Sequence, residues 1–244
     1  MLTLSRHPNR QHLNHGAFQL QRVHPGLALS NPADAGLGPL GLVDHAVVQP
    51  GPLVPMHEHR NDEILSYVRS GSVSHIDSTG NQRVLTPHYF MLMGAGRGFL
   101  HEEQVLGPGP LHMLQIFIRP SAAELEPRVT FCQFDAADSP NAWRLVAGPA
   151  GSEAPLIIRS QVWLYDVHLT RHTLALPDLQ GRTAFLYVFS GAVKVSGADL
   201  PLQEGDSLIL EAEAVSVLAP EDAQLVVFLL DRQASFSRAG TLSG

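Results

Sequence analysis

An all-β fold of two β-barrels joined by a short helical linker is predicted by three features of this 244-residue sequence: a turn-punctuated composition, an internal repeat, and a capping signal between the two copies. The 21 glycines and 18 prolines are spread along the chain and cut it into short apolar runs bounded by turn residues, which leaves little room for long helices. With 44% hydrophobic and 16% charged residues, the chain carries enough apolar surface to bury a sizeable core.

The repeat decides the organisation. Tyr67-Val68-Arg69-Ser70-Gly71-Ser72-Val73 matches Tyr187-Val188-Phe189-Ser190-Gly191-Ala192-Val193 at five of seven positions. Each copy runs a β-rich segment into the Gly turn and continues through another strand to a second turn, Ser78-Thr79-Gly80-Asn81 in the first and Ser196-Gly197-Ala198-Asp199 in the second. Apolar segments follow, from Tyr89 to Met93 and from Ser207 to Leu210. Between the copies, Ser121 stands at a capping position, Glu124 three residues on completes a capping box, and Pro127 closes the segment, so one or two helical turns are expected there. The expected division is residues 1–128 and 129–244. In the second unit, Gly148 to Ser152 reads as a loop, Val162 to Val167 as the opening strand and Val226 to Leu230 as the last core strand.

The formal net charge of -7 argues against direct nucleic-acid binding, which Lys and Arg neutralisation drives. Cys132 is the single cysteine and makes no intramolecular disulfide. The segment from Met1 to Gly16 lacks the apolar stretch of a signal peptide, and no later run approaches a membrane span. A cytoplasmic protein without a membrane partner is expected.

Two short motifs carry chemistry. Strand side chains alternate faces, so His57 and His59 project from one side and two imidazoles converge on one cation. His101-Glu102-Glu103 repeats that geometry after the turn-rich Gly94 to Gly98. On adjacent strands of a barrel the two pairs supply three imidazoles and one carboxylate, a donor set for a transition metal with open positions. Glu63 shares the parity of His57 and His59, so the residues alone leave open which carboxylate binds. In the second unit the repeat places Pro177 and Leu179 where His57 and His59 stand, and no metal site is expected there.

Gly51, His57, His59, Glu63 and Gly71 resemble the first motif of the cupin superfamily, and Pro87 and His101 represent the second. His57-Glu58-His59-Arg60-Asn61-Asp62-Glu63 with Tyr67, then His75 to Asn81, Met93 to Gly98, and His101-Glu102-Glu103 resemble the pirin family in order and spacing across roughly residues 40 to 128. Gln161 to Leu164 and Leu202 to Asp206 resemble, more loosely, the C-terminal cupin of such proteins. The resemblance implies a bicupin, that is, two cupin β-barrels. It also implies that His57, His59, His101 and Glu103 bind one divalent metal, iron(II), leaving Glu63 beside the ligands or as a pocket acid. Two functions follow from the resemblance: a quercetin 2,3-dioxygenase acting on a flavonol-like molecule, with Glu103 as catalytic base, and a regulatory protein whose metal state alters binding of a protein partner. A third reading, another cupin enzyme such as a sugar isomerase, follows from the versatility of such sites.

Overall fold

The computed structural model describes residues 2–7, 11–30, 32–198, 201–211 and 214–244. Four open sheets make up the molecule. In the N-terminal half a seven-stranded sheet, ordered Arg128–Gln133, Tyr89–Gly94, Glu63–Ser70, Leu111–Ile118, Leu40–Val48, Phe18–Val23 and Gln11–His15, faces a four-stranded one, ordered Leu53–His59, Phe99–Leu106, Ser72–Asp77 and Gln82–Leu85. The C-terminal half repeats the plan. Its seven strands run Leu2–Ser5, Ser207–Glu211, Thr183–Ser190, Asp222–Leu230, Val162–Thr170, Arg144–Pro149 and Leu156–Ile158, and its four run Thr173–Ala175, Ser216–Leu218, Ala192–Val195 and Leu202–Gln203. The expected second-unit strands at Val162 and Val226 both lie in the larger sheet. Of the predicted turn Ser196 to Asp199, residue 199 lies outside the described residues.

Two expectations need correction. Among the described residues no sheet closes on itself: each ends in two edge strands, so the halves are open two-sheet sandwiches and not closed barrels. The chain crosses between sheets at the repeated glycines. Gly71 (φ +80°) separates Glu63–Ser70 in one sheet from Ser72–Asp77 in the other, and Gly191 (φ +76°) does the same between Thr183–Ser190 and Ala192–Val195. A Cβ there would fall 2.7 Å from the Pro110 carbonyl oxygen or 2.2 Å from that of Asp222, so both the backbone angle and the space demand glycine. The linker is not helical either. Residues 121–124 form bends, Glu124 sits at φ +57°, and the N–H that a capping box would use goes elsewhere: Glu124 N–H donates to Asn61 Oδ1 at 2.7 Å, while Ser121 N–H donates to the Arg159 carbonyl at 2.7 Å. Among the described residues no α-helix is present, Pro25–Ala28 forms a 3-10 turn, and no helix is long and apolar enough to cross a membrane.

Strand alternation explains the layering. On Glu63–Ser70, Leu65 and Tyr67 join a cluster with Phe90, Phe185, Phe189 and Phe228, which ties the two seven-stranded sheets together, whereas Ile64 and Val68 face the four-stranded sheet of their own half. The halves also exchange edges: Leu2–Ser5 pairs with Ser207–Glu211, and Arg128–Gln133 pairs with Tyr89–Gly94.

Buried polar contacts tie the halves together. Tyr67 Oη donates to Asp166 Oδ2 at 2.8 Å, and Arg144 grips both oxygens of the same carboxylate. His45 Nδ1 lies 2.8 Å from Tyr187 Oη, and burial, helped by His112 and Arg69, pushes this imidazole down to about 3. The unfolded chain therefore binds a proton at His45 below about pH 6.5 that the folded chain refuses until about pH 3. Stability contributed here is present above that window and is lost as pH falls through it, by at most about 1.4 kcal/mol per pH unit. Urea unfolding of wild type and His45→Gln at pH 7 and pH 5 should show the shallower pH dependence in the variant.

Candidate metal centre

The strands Leu53–His59 and Phe99–Leu106 pair antiparallel with His101 opposite His57 and Phe99 opposite His59. A bulge between His101 and Glu103 shifts the register so that Glu103 stands opposite Val54. On the other side of Phe99–Leu106 lies Ser72–Asp77, with Asp77 opposite His101 and His75 opposite Glu103. The inward residues of three neighbouring strands thus meet beneath the seven-stranded sheet, which contributes Gln115, Met113 and Asp44 to the cavity lining.

The Nε2 atoms of His59 and His101 each lie 3.1 Å from His57 Nε2. Hydrogen bonds on the far nitrogens set the tautomers. His57 Nδ1 donates to the Pro55 carbonyl at 2.9 Å, which leaves its Nε2 as a lone pair. His75 Nε2 donates to Asp77 Oδ2 at 3.0 Å, so His75 Nδ1 is an acceptor for His101 Nδ1 at 3.3 Å, and His101 Nε2 in turn presents a lone pair to the cluster. Asp77 is kept ionised: burial raises its pKa, and hydrogen bonds from Thr79, His75 and Asn81 outweigh burial and bring it below the ordinary value. Burial, reinforced by the neighbouring imidazoles, drives His101 down to about 2 and leaves it a neutral ligand.

Glu103 accepts from Gln115 Nε2 at 3.0 Å through Oε2, while Oε1 is sealed from solvent without a partner. Its burial raises its pKa. Lone pairs converging at 3.1 Å repel one another, and an orphaned buried carboxylate oxygen is costly, unless a cation lies between them. The donor set fits a divalent transition metal on both counts. Two overlapping trios have ligand atoms within 4.8 Å of one another: His57, His59 and His101, and His75, His101 and Glu103. His101 belongs to both. The four residues expected from the sequence are therefore distributed over two trios, with Glu103 grouped beside His75.

Glu63 lies elsewhere. It opens a strand of the seven-stranded sheet, after a turn with Asn61 at φ +55° that breaks the parity with His57 and His59. Fully buried, it is held by Arg159 from the C-terminal half, Nε donating to Oε1 at 2.6 Å and the backbone N–H to Oε2 at 3.2 Å. Glu63→Gln should cost about 3 kcal/mol in urea unfolding, the low end for breaking a buried pair, because Arg159 retains 18% side-chain exposure.

Residues 9–118 match the Pirin family, and residues 145–230 match the quercetinase C-terminal cupin domain. A Pasteurella multocida protein, PM1685, is 30% identical over 197 residues, covering 78% of this chain and 81% of its own. The chain belongs to the pirin family. Within it, the quercetin 2,3-dioxygenase of Escherichia coli K12 is 27% identical over 230 residues, 93% of this chain and 98% of that one. The crystal structure of the bacterial pirin YhhW from Escherichia coli in complex with nickel(II) superposes with a TM-score of 0.80 at 26% identity, covering 94% of this chain and 99% of that one. The pirin resemblance read from His57 to Glu103 thus extends over both halves of the chain.

Sequence reasoning placed His75 to Asn81 within the pirin resemblance and gave His75 a structural role, with none at the metal for Asp77, although His-x-Asp on a strand has the same alternation as His-x-His and carries the signal. Asp62 lay within the quoted motif without a role, and nothing in the sequence connects it to Ser243, its partner across the fold.

Proposed function

We propose that this pirin-family protein is a mononuclear metal oxidoreductase of the quercetin 2,3-dioxygenase type, with its metal, iron(II), held by His57, His59, His101 and Glu103. The observation that carries the reading is the convergence of three imidazole Nε2 atoms, with His101 also grouped with Glu103, whose Oε1 is buried without a partner. Its similarity to the Escherichia coli quercetin 2,3-dioxygenase supplies the reaction class. When bound, a divalent metal supplies a Lewis acid with open positions that lowers the pKa of a flavonol hydroxyl.

The chain's own residues do the rest. Burial raises the pKa of Glu103, which makes its carboxylate a stronger base for a substrate hydroxyl proton than an exposed one. Gln115 holds the other oxygen, and both side chains line the cavity. Phe18, Leu20, Val48, Val73 and Met113 line the approach and exclude water. Oxygen uptake with quercetin, comparing iron-loaded with metal-free protein, tests the proposal: consumption by the loaded protein supports it, and equal rates refute it for this substrate.

One observation favours the second reading, a metal-dependent regulatory protein without turnover. The cavity beside Glu103 measures 80 Å³, far below the roughly 300–1,000 Å³ of ordinary small-molecule sites. Phe18 and Leu20 line that cavity. Substituting Phe18 by Ala should raise oxygen uptake if passage past this ring limits turnover, and leave it at the metal-free rate if the protein does not turn over flavonols.

A further inference from the structure

The segment Gly240 to Ser243 returns to the N-terminal half and packs behind the imidazole cluster. Ser243 is 1% exposed, and its hydroxyl donates to Asp62 Oδ1 at 2.6 Å. Its backbone N–H reaches the same oxygen at 3.0 Å, and Leu242 N–H donates to Oδ2 at 3.2 Å. Asp62 has no solvent exposure, and its Oδ2 stands 3.6 Å from His59 Nδ1. That nitrogen is sealed from solvent and has no hydrogen-bond partner.

The close approach is built in. A Cβ on Gly240 would fall 2.3 Å from Asp62 Oδ1, and one on Gly41 would fall 2.6 Å from Ser243 Cα. Buried Arg119 donates from Nε to the Ser243 carbonyl at 2.5 Å while its other nitrogens hold Asp34. Thr241 fastens the segment separately, exchanging hydrogen bonds with the Arg60 backbone at 2.8 and 2.9 Å.

We propose that Ser243 is a positioning residue for the metal centre: through Asp62 it holds His59 in the orientation and tautomer that aim Nε2 at the other imidazoles. The inference rests on the metal reading above. Three donors from this segment occupy Asp62, and the carboxylate edge left over faces His59. A metal-ligating imidazole is commonly oriented by a carboxylate at its other nitrogen, and the 3.6 Å separation is about half an ångström beyond a hydrogen bond, near enough for the fixed charge to favour a proton on Nδ1. Without the Ser243 hydroxyl, Oδ1 loses its shortest donor and the carboxylate gains freedom to turn from the ring. The C-terminal half, which carries Pro177 and Leu179 where the first unit has His57 and His59, thereby acts on the site in the N-terminal half.

Cobalt(II) titration of chelator-treated full-length protein, followed by visible absorption and by calorimetry, tests this. Asp62→Asn keeps an oxygen for Ser243 but turns an amide donor towards His59, and should weaken cobalt binding about 10–100-fold. Ser243→Ala should weaken it by up to about tenfold and shift the cobalt absorption. Thr241→Ala loosens the same segment at the Arg60 backbone while leaving the donors to Asp62 in place, and should weaken cobalt binding less than Ser243→Ala and leave the spectrum unchanged even where thermal stability falls, because its side chain touches neither Asp62 nor the imidazole. Wild-type affinity and spectrum in Ser243→Ala would overturn the proposal, as would equal losses in Ser243→Ala and Thr241→Ala. A wild type that takes up no cobalt overturns the metal reading and this inference together, whereas a binding wild type matched by Ser243→Ala overturns this inference alone.

Discussion

Replacement of His101 by Ala should reduce metal content from about one atom per chain to a small residue, the largest effect expected of any single substitution at the site. His101 is the one residue common to both trios, and its ring is held from behind by the His75–Asp77 pair, so its loss removes a ligand and strands the groups that oriented it. His57→Ala should be milder, because it removes one ligand and leaves His101 in place with the His75–Asp77 pair behind it. Elemental analysis of both variants and of wild type, purified without added metal, checks the ranking. Undiminished metal in His101→Ala would rule out the site as described, and two tightly held metals per wild-type chain would rule out a mononuclear centre.

Glu103→Gln should lower oxygen-dependent turnover of quercetin by about 10²–10⁴-fold, the ordinary contribution of a general base. The side-chain shape is kept, and the remaining carbonyl oxygen still accepts from Gln115, so the fold should persist and part of the metal occupancy with it. The loss should therefore appear in kcat. Glu63→Gln provides the contrast: it lies against Arg159 and Arg128, away from the imidazoles, and should move the unfolding midpoint far more than kcat. The opposite ranking, with Glu63→Gln the more damaging to turnover, would transfer the base to Glu63. Oxygen-electrode rates on iron-loaded wild type and both variants decide between them.

Sequence by itself determined the all-β class, the two related halves, the repeated glycines Gly71 and Gly191, and the shared strand face of His57 and His59. These follow from short-range rules: alternation along a strand, turn chemistry, and a repeat separated by a constant offset. Three things were decided only in the tertiary structure. The segment from Ser121 to Pro127 carries a capping pattern, yet it is not a helix, because Asn61 and the Arg159 backbone take the donors that would have started one. The sheets stay open, since pairing between strands is a long-range choice that local patterning leaves unspecified. Glu63 shares a parity with His57 but not a sheet, and a charge with no solvent exposure goes where a partner is available, here Arg159, 96 residues away. Ser243 and Asp62, 181 residues apart, meet for the same reason: buried carboxylates must be satisfied, and the folded chain alone decides which donors reach them.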